Sequence, residues 1–162
     1  MSIDEIIGYV SALDGVLTLR PEPGDGSPEI SWGDTFFYYS PSGVVPKATQ
    51  PFATIVTKNY PGDEGSRLDR PDAFRVNIAA GKEAFTQWTG HTPRELPAEL
   101  DHSVTDTVIP HPVYGSAGWL AVVNPATRTS EQIRDLLDTA YQRARARYHR
   151  GRRDTSERGN GS

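Results

Sequence analysis

The sequence predicts an α+β domain: a single antiparallel sheet of about 5–6 strands, with N-terminal and C-terminal helices packed on one face. Three observations carry this. Short runs with apolar residues at period two fill the first half of the chain. Apolar residues at spacings of three and four run from Thr129 to Tyr148. Between them, Phe74 to Trp88 starts at period two and ends at helical spacing, so a strand feeds directly into a helix.

Taken in order, Ser2 and Glu5 form a capping box, and Ile3, Ile6, Ile7, Val10 and Leu13 follow at helical spacing. That short helix ends near Asp14-Gly15. Val16 to Arg20 reads as a strand, and the Pro- and Gly-rich Pro21 to Pro28 as a loop. Glu29 to Trp32 and Thr35 to Tyr39 read as two strands of a hairpin turning at Gly33-Asp34. Four adjacent aromatics cannot share a face. Phe36 and Tyr38 therefore oppose Phe37 and Tyr39, and each face must be covered or line a cleft.

Phe52 to Thr57 is a further strand, with Pro51 at its entry. In the central strand Phe74, Val76 and Ile78 lie on one side, with Arg75 and Asn77 on the other. A helix from Lys82 follows, closed by Gly90. This expectation brings Arg75, Asn77 and Lys82 to one neighbourhood of the surface. His91 to Asp106 reads as a long polar surface loop, and Val108 to Gly115 as a stiff proline-flanked segment. Gly118 to Pro125 is a near-continuous apolar strand, hence central. Thr129 with Gln132 offers a second capping box, and Ile133, Leu136, Leu137, Ala140, Tyr141, Ala144 and Tyr148 form the stripe behind it.

The chain of 162 residues reads as one domain, residues 1–149, followed by a disordered basic tail, 150–162, with nothing apolar to bury. Thirteen prolines and 15 glycines imply many turns. There is no cysteine, so disulfides and thiolate chemistry are excluded. No apolar run approaches the roughly 20 residues of a membrane helix, and no signal-peptide pattern opens the chain, so a cytoplasmic location is expected. The net charge of −4 argues against a chain-wide nucleic-acid surface, although Arg143, Arg145, Arg147, Arg150, Arg152 and Arg153 crowd one end.

Several side chains invite chemistry. Arg75, Asn77 and Lys82, with the free N–H groups of a helix start, can hold an anion. The plainer alternative pairs Arg75 with an acid such as Asp69 or Asp72 and leaves Lys82 solvated. His111, fixed between Pro110 and Pro112, and Tyr114 form either an acid/base pair or a structural loop contact. Trp32, Phe37, Tyr39 and Trp119 wall either a core or an apolar pocket. Asp34 and Glu29 are assigned to turn duty. The Gly81-Lys82 step lacks the P-loop pattern. His91, Asp101, His102, Asp106 and His111 lack zinc-site spacing, so neither metal nor cofactor is expected.

The segments Ser27–Tyr39, Pro51–Lys58, Phe74–Ala79 and His111–Gly115 resemble an actinobacterial family, domain-of-unknown-function family 6194, over about Ile3 to Tyr148. The resemblance carries no activity with it. A remoter similarity, through Trp119 to Val123 and Leu136 to Tyr141, is to the MmcQ/YjbR-like proteins. It implies a double-wing fold and DNA association. An Asn-Lys pair of that group is replaced here by His111-Pro-Val-Tyr-Gly. The leading expectation is a domain that binds a small, anionic ligand in a cleft beside the sheet, with Arg75, Asn77, Lys82, His111, Tyr114 and Trp119 around it. The alternatives are a nucleic-acid-associated YjbR-like module and a small hydrolase or isomerase using His111 and Tyr114.

Overall fold

The computed structural model describes residues 1–96 and 99–160, with side chains described as far as Gly151. Its elements are α1 (Ile3–Ser11), β1 (Val16–Leu19), β2 (Thr35–Tyr39), β3 (Ala53–Val56), β4 (Arg75–Ile78), α2 (Lys82–Thr89), β5 (Ile109–Pro110), β6 (Leu120–Val123) and α3 (Ser130–Asn160). The six strands form one sheet in the order β1-β2-β3-β4-β6-β5, antiparallel throughout. The fold is α+β.

Register decides which residues share a face. Phe37, Ala53, Ile78 and Leu120 pair across four strands, and Ile55, Val76 and Val122 pair beside them. These side chains are buried against Ile6 and Val10 of α1, Phe85 of α2, and Ile133, Leu136, Leu137 and Ala140 of α3. Each fully buried aliphatic side chain contributes about 1.5–3 kcal/mol, so this layer is the main source of stability. All three helices among the described residues therefore cover one face.

The opposite face carries Thr54, Val56, Arg75, Asn77, Ala121 and Val123. Loops cover it. Leu68, Ala73 and Tyr60 of the segment 59–73 pack on Val56 and Val123.

The local chemistry of the ends follows the sequence. Ser2 and Glu5 form the capping box of α1. Gly90 closes α2 in the left-handed conformation that only glycine adopts without cost.

Four expectations are corrected. Glu29–Ser31 is a 3-10 turn, not a strand, and β2 pairs with β1 and β3 instead. The single apolar residue there, Ile30, is 40% exposed, so no buried face holds the segment extended. The 91–106 connector is not a free surface loop: Thr105 bridges to Val123, and Asp106 ties down the start of α3. Thr129 precedes α3, but its hydroxyl donates to Asp106 at 2.6 Å rather than capping with Gln132. Finally, α3, expected to end near Tyr148, spans Ser130–Asn160, because arginine is a good helix former and each of its two glycines costs only about 1 kcal/mol. The expected tail, 150–162, lies mostly outside the described side chains.

Candidate functional site

β4 points Arg75 and Asn77 to the loop-covered face, since residues two apart in a strand face the same way. Arg75 is only 2% exposed. A guanidinium at that depth requires a counter-charge and a partner for its donors. Its Nη1 and Nη2 donate to Asp63 Oδ1 and Oδ2 at 3.1 and 2.6 Å, a bidentate pair. Nη1 also donates to Ser66 Oγ at 3.0 Å, and Nε to Asn77 Oδ1 at 2.7 Å. Asn77 Nδ2 in turn donates to Thr54 Oγ1 on β3 at 3.0 Å. Burial alone would raise the Asp63 carboxyl, but the bonds and charge of Arg75 outweigh it and hold it below the usual carboxylate range.

His111 closes this network. Its Nδ1 accepts from the Val113 and Tyr114 backbone N–H groups, both at 3.0 Å. An imidazole that accepts at Nδ1 carries its proton on Nε2. That Nε2 lies 3.4 Å from Arg75 Nη2, so the two meet as donors rather than as a hydrogen bond. Burial, and then the charge of Arg75, push the His111 pKa down to about 3. The ring is neutral at neutral pH and serves as the anchor of the turn that follows it. It stacks against Tyr114 and Trp119, with ring centroids 5.0 and 6.2 Å away.

The predicted site residues thus separate. Arg75, Asn77 and His111 converge, but the Arg75 charge is already met by Asp63 and its donors by Asp63, Ser66 and Asn77. Tyr114 is 53% exposed, and Trp119 is half-buried beside it. Lys82 is exposed at the start of α2 and bonds to none of them. The expected surface neighbourhood fails because β4 is central, which buries both of its faces.

The open space lies elsewhere. A cleft of about 1250 Å³ forms where the end of β2, the segment 46–52 and the C-terminal half of α3 meet. Tyr38, Tyr39, Gln50, Trp119, Arg143 and Arg147 line it. Trp119 therefore belongs to both regions, touching the His111 stack and walling the cleft. Among the described residues no carboxylate lines the cleft, and His111, Tyr114 and Arg75 do not reach it.

Two glycines lie between Arg143 and the entry of β6. Gly81 has φ 91°, and a Cβ there would fall 2.6 Å from the Arg143 guanidinium. Gly118 has φ 86°, and its Cβ would meet the backbone of Gly81 and Lys82 at 3.0–3.3 Å. Arg143 thus packs on Gly81, and Gly81 on Gly118, the residue before Trp119. Arg143 Nη1 donates to Ala79 O at 2.8 Å. Burial, and then the nearby Arg147, lower the Arg143 pKa. Among the described residues neither arginine has a carboxylate partner.

Residues 1–154 match a family of unknown function, DUF6194. The chain belongs to this family. No curated protein and no solved structure matches it.

This DUF6194 chain holds one further polar hub that sequence reasoning assigned to a turn. Asp34 is 1% exposed, and its Oδ1 accepts from Thr57 N, Thr57 Oγ1 and Lys58 Nζ, each at 2.9 Å. Tyr60 donates to Oδ2, and burial together with this bond raises its phenol pKa. The hub clamps the loop after β3 to the entry of β2. It is a structural centre, with every Asp34 oxygen engaged. Among the described residues no three His, Asp or Glu gather as metal ligands, and no helix is long and apolar enough to cross a membrane.

Proposed function

We propose that this domain is a receptor for a small anionic molecule, bound in the cleft between Trp119 and α3. One observation carries the reading: Arg143 and Arg147 stand one helical turn apart at a cleft that, among the described residues, no carboxylate lines. Like charges at this spacing destabilise a helix, and an anion between them removes that cost. An aromatic wall beside fixed cationic donors is the composition of a small-ligand site. The acid/base alternative has less support, because His111 is buried, neutral and engaged at Nδ1. The nucleic-acid alternative has less support too, given the net charge of −4.

Thermal-shift titration with a panel of small organic anions tests the reading. A ligand at a hundred times its Kd should stabilise the fold by about 2.7 kcal/mol, and Arg143→Gln with Arg147→Gln should abolish the shift. Absence of any stabilising anion, or a shift that survives both substitutions, refutes it.

A further inference from the structure

Resting on that reading, we infer that the ligand is an aromatic phosphate monoester, a planar ring joined to a phosphate dianion. The charge argues first. Among the described residues no carboxylate compensates the two guanidinium groups at the cleft, so a dianion neutralises the pair and a monocarboxylate leaves one cation over. Arg143 keeps most of its donors for this purpose, since its one bond within the described residues goes to Ala79 O. Guanidinium forks match phosphate oxygens bidentately, and two forks on one helix face can share a single phosphate.

The walls argue second. Trp119, Tyr38 and Tyr39 line the same space; the Tyr39 ring already packs against Tyr141, Tyr148 and His149, so the half-buried Trp119 indole is the surface offered to a flat group. Trp119 and Arg143 line the same cleft, so one ligand can carry its ring to the indole and its phosphate to the guanidinium. A volume of about 1250 Å³ admits a molecule the size of a nucleoside monophosphate.

Isothermal titration of the full chain, at low salt, compares adenosine monophosphate and phenyl phosphate with inorganic phosphate, adenosine and benzoate. At least one ester should bind roughly tenfold or more tighter than each fragment. Arg147→Gln, on an exposed helix face, should weaken it about tenfold, and Trp119→Leu by a similar factor. Thermal melts of the free variants establish that both are folded. Benzoate binding as tightly as the esters would overturn the phosphate class and leave the anion reading standing. Inorganic phosphate matching the esters would overturn the aromatic part. If none of the anions binds, the inference and the reading beneath it both fall.

Discussion

The two faces of the sheet use the same strands but are held by different physics. On the helix face, Phe37, Ile55, Val76, Ile78, Leu120 and Val122 meet apolar side chains of α1, α2 and α3. That contact is non-directional, and its strength scales with buried area. On the loop face the apolar cluster is small, being Val56, Leu68, Ala73 and Val123 with Tyr60 at its rim. Loops bury backbone polar groups, so they need bonded anchors. Asp63 with Arg75, Asp34 with Thr57, Lys58 and Tyr60, and Asp106 with the start of α3 are those anchors. A face covered by helices tolerates approximate packing, whereas a face covered by loops depends on a few specific bonds.

Substitutions on each face sharpen this contrast. The largest loss is expected from Asp63→Ala, which leaves Arg75 buried and uncompensated and should cost about 3–5 kcal/mol in chemical denaturation. Replacing the pair together, Asp63→Leu with Arg75→Met, should recover most of that loss, because a well-packed apolar pair avoids the desolvation of both ions. If the double variant is as unstable as the single, the network acts through geometry rather than charge.

On the helix face Leu137→Ala should cost about 2–5 kcal/mol by opening a cavity, with no partner able to rescue it. A loss below about 1 kcal/mol would place the stripe of α3 outside the core.

Acid should act on the loop face first. The folded state holds the His111 pKa near 3, below the ordinary 6.5, so the unfolded chain binds the proton first as pH falls. Stability from this group is complete above about 6.5 and declines by up to about 1.4 kcal/mol per pH unit towards 3. Asp63, also held low, adds loss in the same direction at the acid end of that window. Denaturation midpoints measured from pH 7 to 4 should fall, and His111→Asn should flatten the slope. An unchanged slope in that variant would assign the acid sensitivity elsewhere.

Smaller effects follow at the edges. Asp106→Ala, which frees the N–H groups of Ala126, Arg128 and Thr129, should cost about 0.5–2 kcal/mol. Arg147→Gln, in the cleft and paired with no carboxylate among the described residues, should change stability by no more than about 0.5 kcal/mol without ligand. A large loss there would mean that the arginine is structural.

Much of the fold was legible. Period-two runs located β1 to β4 and β6, and the stripe from Ile133 to Tyr148 located α3, because alternation and helical spacing record which face meets a core. Glu29–Ser31 escaped, since one apolar residue beside Pro28 does not define a face. The site was legible only in part. The strand pattern put Arg75 and Asn77 together, and Trp119 was identified as a wall, but Arg75 was expected to face a ligand. Its partner, Asp63, lies twelve residues earlier in a turn-rich loop, and nothing in local spacing announces that such a loop folds back over the sheet. Arg143 and Arg147 stood among other arginines of one helix, and their i, i+4 spacing was the one available signal.

What the sequence determined by itself was periodicity: the elements, their apolar faces, the capped start of α1 and the glycine end of α2, all set by interactions within a few residues. What only the tertiary structure decided was which polar groups meet. The insertion of β6 between β4 and β5 placed Trp119 beside His111, and the close contacts of Gly118 on Gly81 and of Gly81 on Arg143 brought α3 to the entry of the same strand. Gly81, Gly118 and Arg143 are separated from one another by tens of residues in the chain. Whether an arginine is neutralised in a buried network or left facing a cleft depends on which loop and which strand edge arrive next to it, and that is fixed by packing over the whole sheet.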